Sequence, residues 1–181
     1  MNKKRLVIFV MALLVVDQIV KILIKTNMTF DQSITIFPDW FLIRFIENPG
    51  AAFGITFGGG IGKLILSLFR IFAVGLIIWY LCHMLRNGAP SGVIIGSGLI
   101  LAGAVGNILD SMYFGLIFSE STFTKVATMF PPEGGYAGFL HGHVVDMLYF
   151  PLFHGHYPSW LPFIGGNPFT FFSPIFNFAD S

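Results

Sequence analysis

Long apolar runs alternate with aromatic-rich connections along this chain. The first run extends from about Leu6 to Ile24, the second from about Leu64 to Leu85 and the third from about Val93 to Met112. Each is close to the roughly 20 residues that a helix needs to cross hydrocarbon. The third is rich in small residues (Gly96, Gly98, Gly103, Gly106). Small residues let helices approach closely in lipid, where packing replaces the hydrophobic effect, so this span is predicted to be central. Residues 27–63 read differently. Apolar and polar positions alternate around Thr35-Ile36-Phe37 and from Phe41 to Ile46, with turn signals at Asn48-Pro49-Gly50 and Gly58-Gly59-Gly60. That pattern predicts a small β-sheet. Residues 113–179 carry Tyr149, Tyr157, Trp160 and many Phe and Pro residues, a composition suited to the membrane–water interface. No internal repeat or soluble-type domain boundary is evident, so residues 1–181 read as a single membrane domain.

Composition sharpens this picture. Of 181 residues, 55% are hydrophobic and 10% are charged, against about 25% charged in soluble domains. An ordinary water-facing surface is excluded. A net charge of +1 gives no concentrated basic face, so no nucleic-acid partner is expected. The single cysteine, Cys82, rules out an internal disulfide and reads as a buried, inert thiol. Lys3-Lys4-Arg5 before an apolar run resembles a secretory signal, but Asp17 and Lys21 interrupt the run and no small-residue cleavage site follows. A retained first helix is therefore predicted. The basic start and Arg86, in the short connection 83–90, predict a cytoplasmic N-terminus, with residues 27–63 and 113–179 facing outward.

An ionisable side chain at bilayer depth costs about 2.5 to 3.5 kcal/mol on translocon scales, so each one needs a reason. Asp17 and Lys21 are four residues apart and can pair on one helix face; Asn107 and Asp110, three apart, also share a face. Asn48 stands at the turn closing the sheet. Asp146 and Asp180 each end a mostly apolar stretch. These groups can simply satisfy one another and hold helices together. The sharper reading concerns Asp146 and Asp180. Two carboxylates meeting at a water-accessible edge cannot both ionise, so one keeps its proton. The ionised member can then take a proton from water while the other donates to a carbonyl. Periodicity alone does not single out these two acids.

Five strings occur in order: Asp17-Gln18-Ile19-Val20-Lys21, Glu47-Asn48-Pro49-Gly50-Ala51-Ala52-Phe53, Gly106-Asn107-Ile108-Leu109-Asp110, Val144-Val145-Asp146 and Phe176-Asn177-Phe178-Ala179-Asp180. Together they resemble the signature blocks of the lipoprotein signal peptidase (signal peptidase II) family, across nearly the whole chain. The resemblance implies an all-α membrane bundle with a small extracytoplasmic β-cradle: three spans here, and a fourth, expected for the family, that would begin about where residue 181 stands. It implies an aspartic endopeptidase of the bacterial inner membrane, its active site on the periplasmic side. Such an enzyme cuts diacylglyceryl-modified prolipoproteins just before the lipidated cysteine. Asp146 and Asp180 match the catalytic dyad, and Asp17, Lys21, Asn48, Asn107, Asp110 and Asn177 match the supporting polar residues. No metal or cofactor is implied. The expected partners are the lipid-modified precursor and membrane lipid, and a monomer suffices for the chemistry. Two departures stand out. Ser111 occupies the place where the family pattern puts Arg, so that another cation, such as Lys21, would have to substitute. The intervals from Asp110 to Asp146 and from Asp146 to Asp180 are long for the family, which predicts extra interfacial structure at residues 116–139.

Rival readings follow from the same residues. His141-Gly142-His143 and His154-Gly155-His156 offer imidazoles for zinc, although the spacing fits no hydrolase signature. A small transporter or ion relay could use Asp17, Lys21, Asn107 and Asp110, but the symmetric halves common in transporters are not found. A membrane scaffold would use the same groups only for packing.

Overall fold

The computed structural model describes residues 2–38, 40–49, 59–171 and 174–177. Helix α1 (Lys3–Asn27) opens with Asn2 as its cap, the side chain accepting from the Arg5 amide at 2.9 Å. Its buried residues are Leu6, Val10, Leu14, Asp17, Lys21 and Lys25. These spacings of three and four define one face of the helix. That face is apolar for its first half and carries acid and ammonium groups for its second, so α1 joins a hydrophobic core to a polar one. The opposite face, with Ile8, Met11, Val15, Ile19 and Leu23, is exposed, as a lipid-facing surface would be.

Helix α3 (Ser91–Leu109) packs against both α1 and helix α2 (Gly59–Arg86). Together with α1 they make three helices long and apolar enough to cross a membrane. Leu6, Val10 and Leu14 pack with Leu81, Met84, Ile94 and Ala102. At Gly98 a Cβ would lie 2.9 Å from Leu6 Cδ1, so α1 and α3 touch through a missing side chain. Gly103 and Gly106 are buried as well. Gly96, grouped with them in the sequence, faces open space instead.

The end of α3 departs from a regular helix. Asp110–Phe114 widens into a π-helical turn, followed by the short helix α4 (Gly115–Ile117). Such widened turns often mark functional sites. The third span therefore reaches past the Met112 expected from hydropathy. Residues 118–143 then fold back over this end. The amides of Phe130, Tyr136, Ala137 and Gly142 donate to the carbonyls of Ile117, Phe118, Gly115 and Ser111. A Cβ on Gly142 would sit 2.3 Å from the Asp110 carbonyl oxygen and 2.8 Å from the Gly115 nitrogen. The extra stretch is thus a tightly docked cover on the end of α3.

The small β-sheet expected within residues 27–63 extends beyond that segment. Strands β1 (Ser33–Phe37) and β2 (Phe41–Asn48) pair antiparallel, and β3 (Val144–Tyr149) and β6 (Ile175–Phe176) extend the order to β1-β2-β3-β6. The period-2 signal found β1 and β2, but β3 is buried on both faces from Val144 to Met147 and shows no alternation. Strands β4 (Phe153–His156) and β5 (Pro168–Phe171) make a separate hairpin whose connection exposes Trp160 and Phe163. A second core of Met28, Phe45, Phe114, Phe118, Ala127, Val145 and Met147 joins the sheet to the ends of α1 and α3.

Candidate active site

The polar half of α1 and the end of α3 meet in a buried network. Lys21 Nζ lies 3.0 Å from Asp17 Oδ2 and 2.7 Å from Asp110 Oδ2, and donates to Asn107 Oδ1 at 3.0 Å. The side chains of Lys21 and Asp110 are fully buried. One ammonium thus serves two carboxylates and an amide. Gln18 adds donors, to Asp110 Oδ1 at 2.8 Å and to Asp17 Oδ2 at 3.2 Å. Burying ions without such partners would cost several kcal/mol each. Ser111, where an arginine was expected, turns inward, its hydroxyl donating to the Asn107 carbonyl at 3.0 Å. The cation beside Asp110 is Lys21.

The network continues to the sheet. Asn177 Nδ2 donates to Asn107 Oδ1 at 3.0 Å and to Asp146 Oδ1 at 2.7 Å. The backbone amide of Val145 approaches Asp110 Oδ2 at 3.4 Å. Strand β3 places Asp146 opposite Ile46 and Val144 opposite Asn48. Alternation along β3 puts Asp146 on the face opposite Val145 and Met147, which belong to the second core. Of the eight residues singled out in the sequence, Asp17, Lys21, Asn107, Asp110, Asn177 and Asp146 form one connected set. Asn48 lies on the adjoining strand. Asp180 lies outside the described residues, as do Gly50 to Gly58 and so the Gly50-Ala51-Ala52-Phe53 part of the block that begins at Glu47.

Sequence reasoning missed a second buried cluster. Lys25, one turn beyond Lys21 on the same face of α1, pairs with Glu47 on β2 and donates to Ser121 Oγ at 3.0 Å. Ser121 in turn donates to Glu47 Oε1 at 2.8 Å, and His143 Nδ1 lies 3.3 Å from Glu47 Oε2. The ammonium is ringed by Tyr136, Phe118 and Phe45, at 4.9, 5.6 and 6.0 Å from the ring centroids. Burial pushes the Glu47 carboxyl upward, but hydrogen bonds from His143, Lys25 and Ser121 and the Lys25 charge outweigh it and hold Glu47 below the ordinary range. Burial keeps the Tyr136 phenol well above its usual value, so it stays neutral and accepts the His143 amide at 2.6 Å. Carrying the Asp17–Lys21 spacing one more turn would have found Lys25. Nothing local in the sequence marked Ser121 as its partner. The zinc reading's His141 and His143 precede β3, with His143 turned to Glu47, while His154 and His156 lie on β4.

With this geometry in place, the comparisons with known proteins bear on it directly. The sequence model described as signal peptidase (SPase) II matches residues 9–181. The chain belongs to the signal peptidase II family. It is similar to the lipoprotein signal peptidase of Porphyromonas gingivalis, 51% identical over 173 residues, covering 95% of this chain and 74% of that protein. It is also similar to the lipoprotein signal peptidase of Amoebophilus asiaticus, 35% identical over 185 residues, covering 99% and 74%. Two solved bacterial membrane enzymes, at 22% and 21% identity, share the fold with TM-scores of 0.59 and 0.60. Each likeness covers 98% of this chain, with 79% and 84% of those chains. Membership in the signal peptidase II family makes the chain a peptidase, and the ion-relay and scaffold readings of its buried charges lapse.

Proposed function

We propose that this signal peptidase II family member removes signal peptides from diacylglyceryl-modified prolipoproteins, cutting before the lipidated cysteine, with Asp146 and Asp180 as its catalytic pair. The observation that carries the reading is the bond from Asn177 to Asp146 at 2.7 Å, made from within the block that ends in Asp180. Asp180 stands three positions after Asn177 in the same block. Asn177 is tied to β3 at the very acid that the family likeness pairs with Asp180.

In this reading the carboxylates share a proton. The ionised one accepts a proton from the attacking water while the other donates to the scissile carbonyl, with no covalent intermediate. Asn177 fixes the rotamer of Asp146, and the Lys21 network fixes Asn177 through Asn107. Asp17, Lys21, Asn107 and Asp110 are thus supporting residues, and Asn48 adjoins them on β2. The basic N-terminal residues and Arg86 support an N-in arrangement in the bacterial inner membrane, with the sheet outside as a cradle and a fourth span completing the bundle. The substrate's acyl chains would hold the scissile bond at the outer leaflet, where the ends of α1 and α3 present this network.

The test uses paired precursor peptides, with and without the diacylglyceryl group, and product masses read by mass spectrometry. Cleavage immediately before the cysteine, strongly favouring the lipidated peptide, is expected because acyl chains position the bond. Equal rates on both peptides, or cleavage elsewhere, would remove the reading.

A further inference from the structure

The Lys25 cluster has no part in the chemistry described so far, yet it gathers three parts of the chain around one buried ammonium. Lys25 comes from α1, Glu47 from β2, and Ser121, Tyr136 and His143 from the cover at residues 118–143. The Lys25 side chain is 0% exposed and that of Glu47 is 6% exposed. Buried ions of this kind are costly unless their partners are well placed. The partners here flank one strand. Glu47 stands opposite Val145 on the β2–β3 ladder, and the neighbouring pair is Ile46 with Asp146. From the other side Asp110, held by Lys21, reaches the Val145 amide. Two ammonium groups a single turn apart on α1 therefore grip β3 at the residue preceding Asp146, one through α3 and the other through β2.

We infer that Lys25, with Glu47 and Ser121, is a positioning clamp that sets the place of Asp146 for catalysis, and that residues 118–143 serve this reaction by closing the clamp. The inference rests on the reading of Asp146 as catalytic. Lys25 does not touch the reacting atoms. It acts through the ladder, so its loss lets β3 shift while the route for substrate is unchanged. Misplacement by about 1 Å can cost on the order of 100-fold in rate.

The experiment measures kcat and KM of the full chain on a diacylglyceryl-modified precursor peptide for Lys25→Met, Ser121→Ala and Asp146→Asn, well below each variant's melting temperature. Lys25→Met is expected to lower kcat by roughly 100-fold with KM within about twofold. Ser121→Ala removes two hydrogen bonds, one from Lys25 and one to Glu47, and leaves the ion pair, so it folds, and kcat should fall by roughly threefold to tenfold. A folded Lys25→Met enzyme with unchanged kcat, or one altered only in KM, would overturn the clamp. If Lys25→Met does not fold, Ser121→Ala decides alone, and an unchanged kcat there overturns it equally. The Asp146→Asn arm separates the two claims. Full activity in that variant sinks the catalytic reading itself, whereas its loss beside normal kcat in the clamp variants sinks only the clamp.

Discussion

Lys21→Met is the most informative single change to the fold. The substitution keeps an apolar stem of similar length and removes an ammonium that meets Asp17 at 3.0 Å, Asp110 at 2.7 Å and Asn107 at 3.0 Å. Both Lys21 and Asp110 are fully buried, so the anion is left without water or counter-charge. Breaking a buried pair from one side costs about 3–5 kcal/mol. For a chain of this size each kcal/mol lowers the melting temperature by about 2–4 °C, so the expected loss is about 6–20 °C. The assay is thermal unfolding of the purified enzyme and variant in one detergent, followed by intrinsic fluorescence. The double variant Lys21→Met/Asp110→Asn supplies the internal control. Neutralising the stranded acid should return part of the loss, with a coupling of about 0.5–3 kcal/mol. A drop of less than about 3 °C, or strictly additive effects, would refute the claim that one ammonium serves as counter-charge to both acids.

Other outcomes follow from the same geometry. Glu47 is held below its ordinary value of 4.5, so its contribution to stability is present above that pH and is withdrawn as pH falls through its lowered folded-state value. Melting temperature should therefore drop as pH falls below about 4.5, and Glu47→Gln, less stable at neutral pH, should show a shallower drop. A parallel acid profile in the variant would contradict this. Gly142→Ala places a methyl against backbone atoms of Asp110 and Gly115 that cannot move aside cheaply. It should lower both thermal stability and precursor cleavage, whereas Gly134→Ala, in open space, should alter stability only through its φ of +90°.

The spans, the first two strands and the buried charges of the network were legible because each left a local mark. Apolar runs of the right length exposed the helices. Period-2 alternation exposed β1 and β2, and charges inside hydrophobic segments exposed Asp17, Lys21 and Asp110. Strand β3 was not visible by pattern, because Val144-Val145-Asp146-Met147 is buried on both faces and its partners lie on β2 and β6, far away in sequence. The π-helical turn at Asp110 has no sequence signal, since nothing in Asp-Ser-Met-Tyr-Phe distinguishes it from a further α-helical turn. The extra structure at residues 116–139 was expected from the long intervals between the family blocks, but the backbone bonds to Gly115, Ile117 and Phe118 that dock it on the bundle have no sequence signal. The pairing of Lys25 with Glu47 and Ser121 joins residues 22 and 96 positions apart, and only the folded chain brings them together.

The most direct test of the account is single-turnover cleavage of a lipid-modified precursor by Asp146→Asn and Asp180→Asn, each shown by thermal unfolding to keep its fold. The account predicts that either substitution alone abolishes product while leaving the precursor bound. Product formed by a folded Asp146→Asn or Asp180→Asn enzyme at a rate near that of the parent would contradict it.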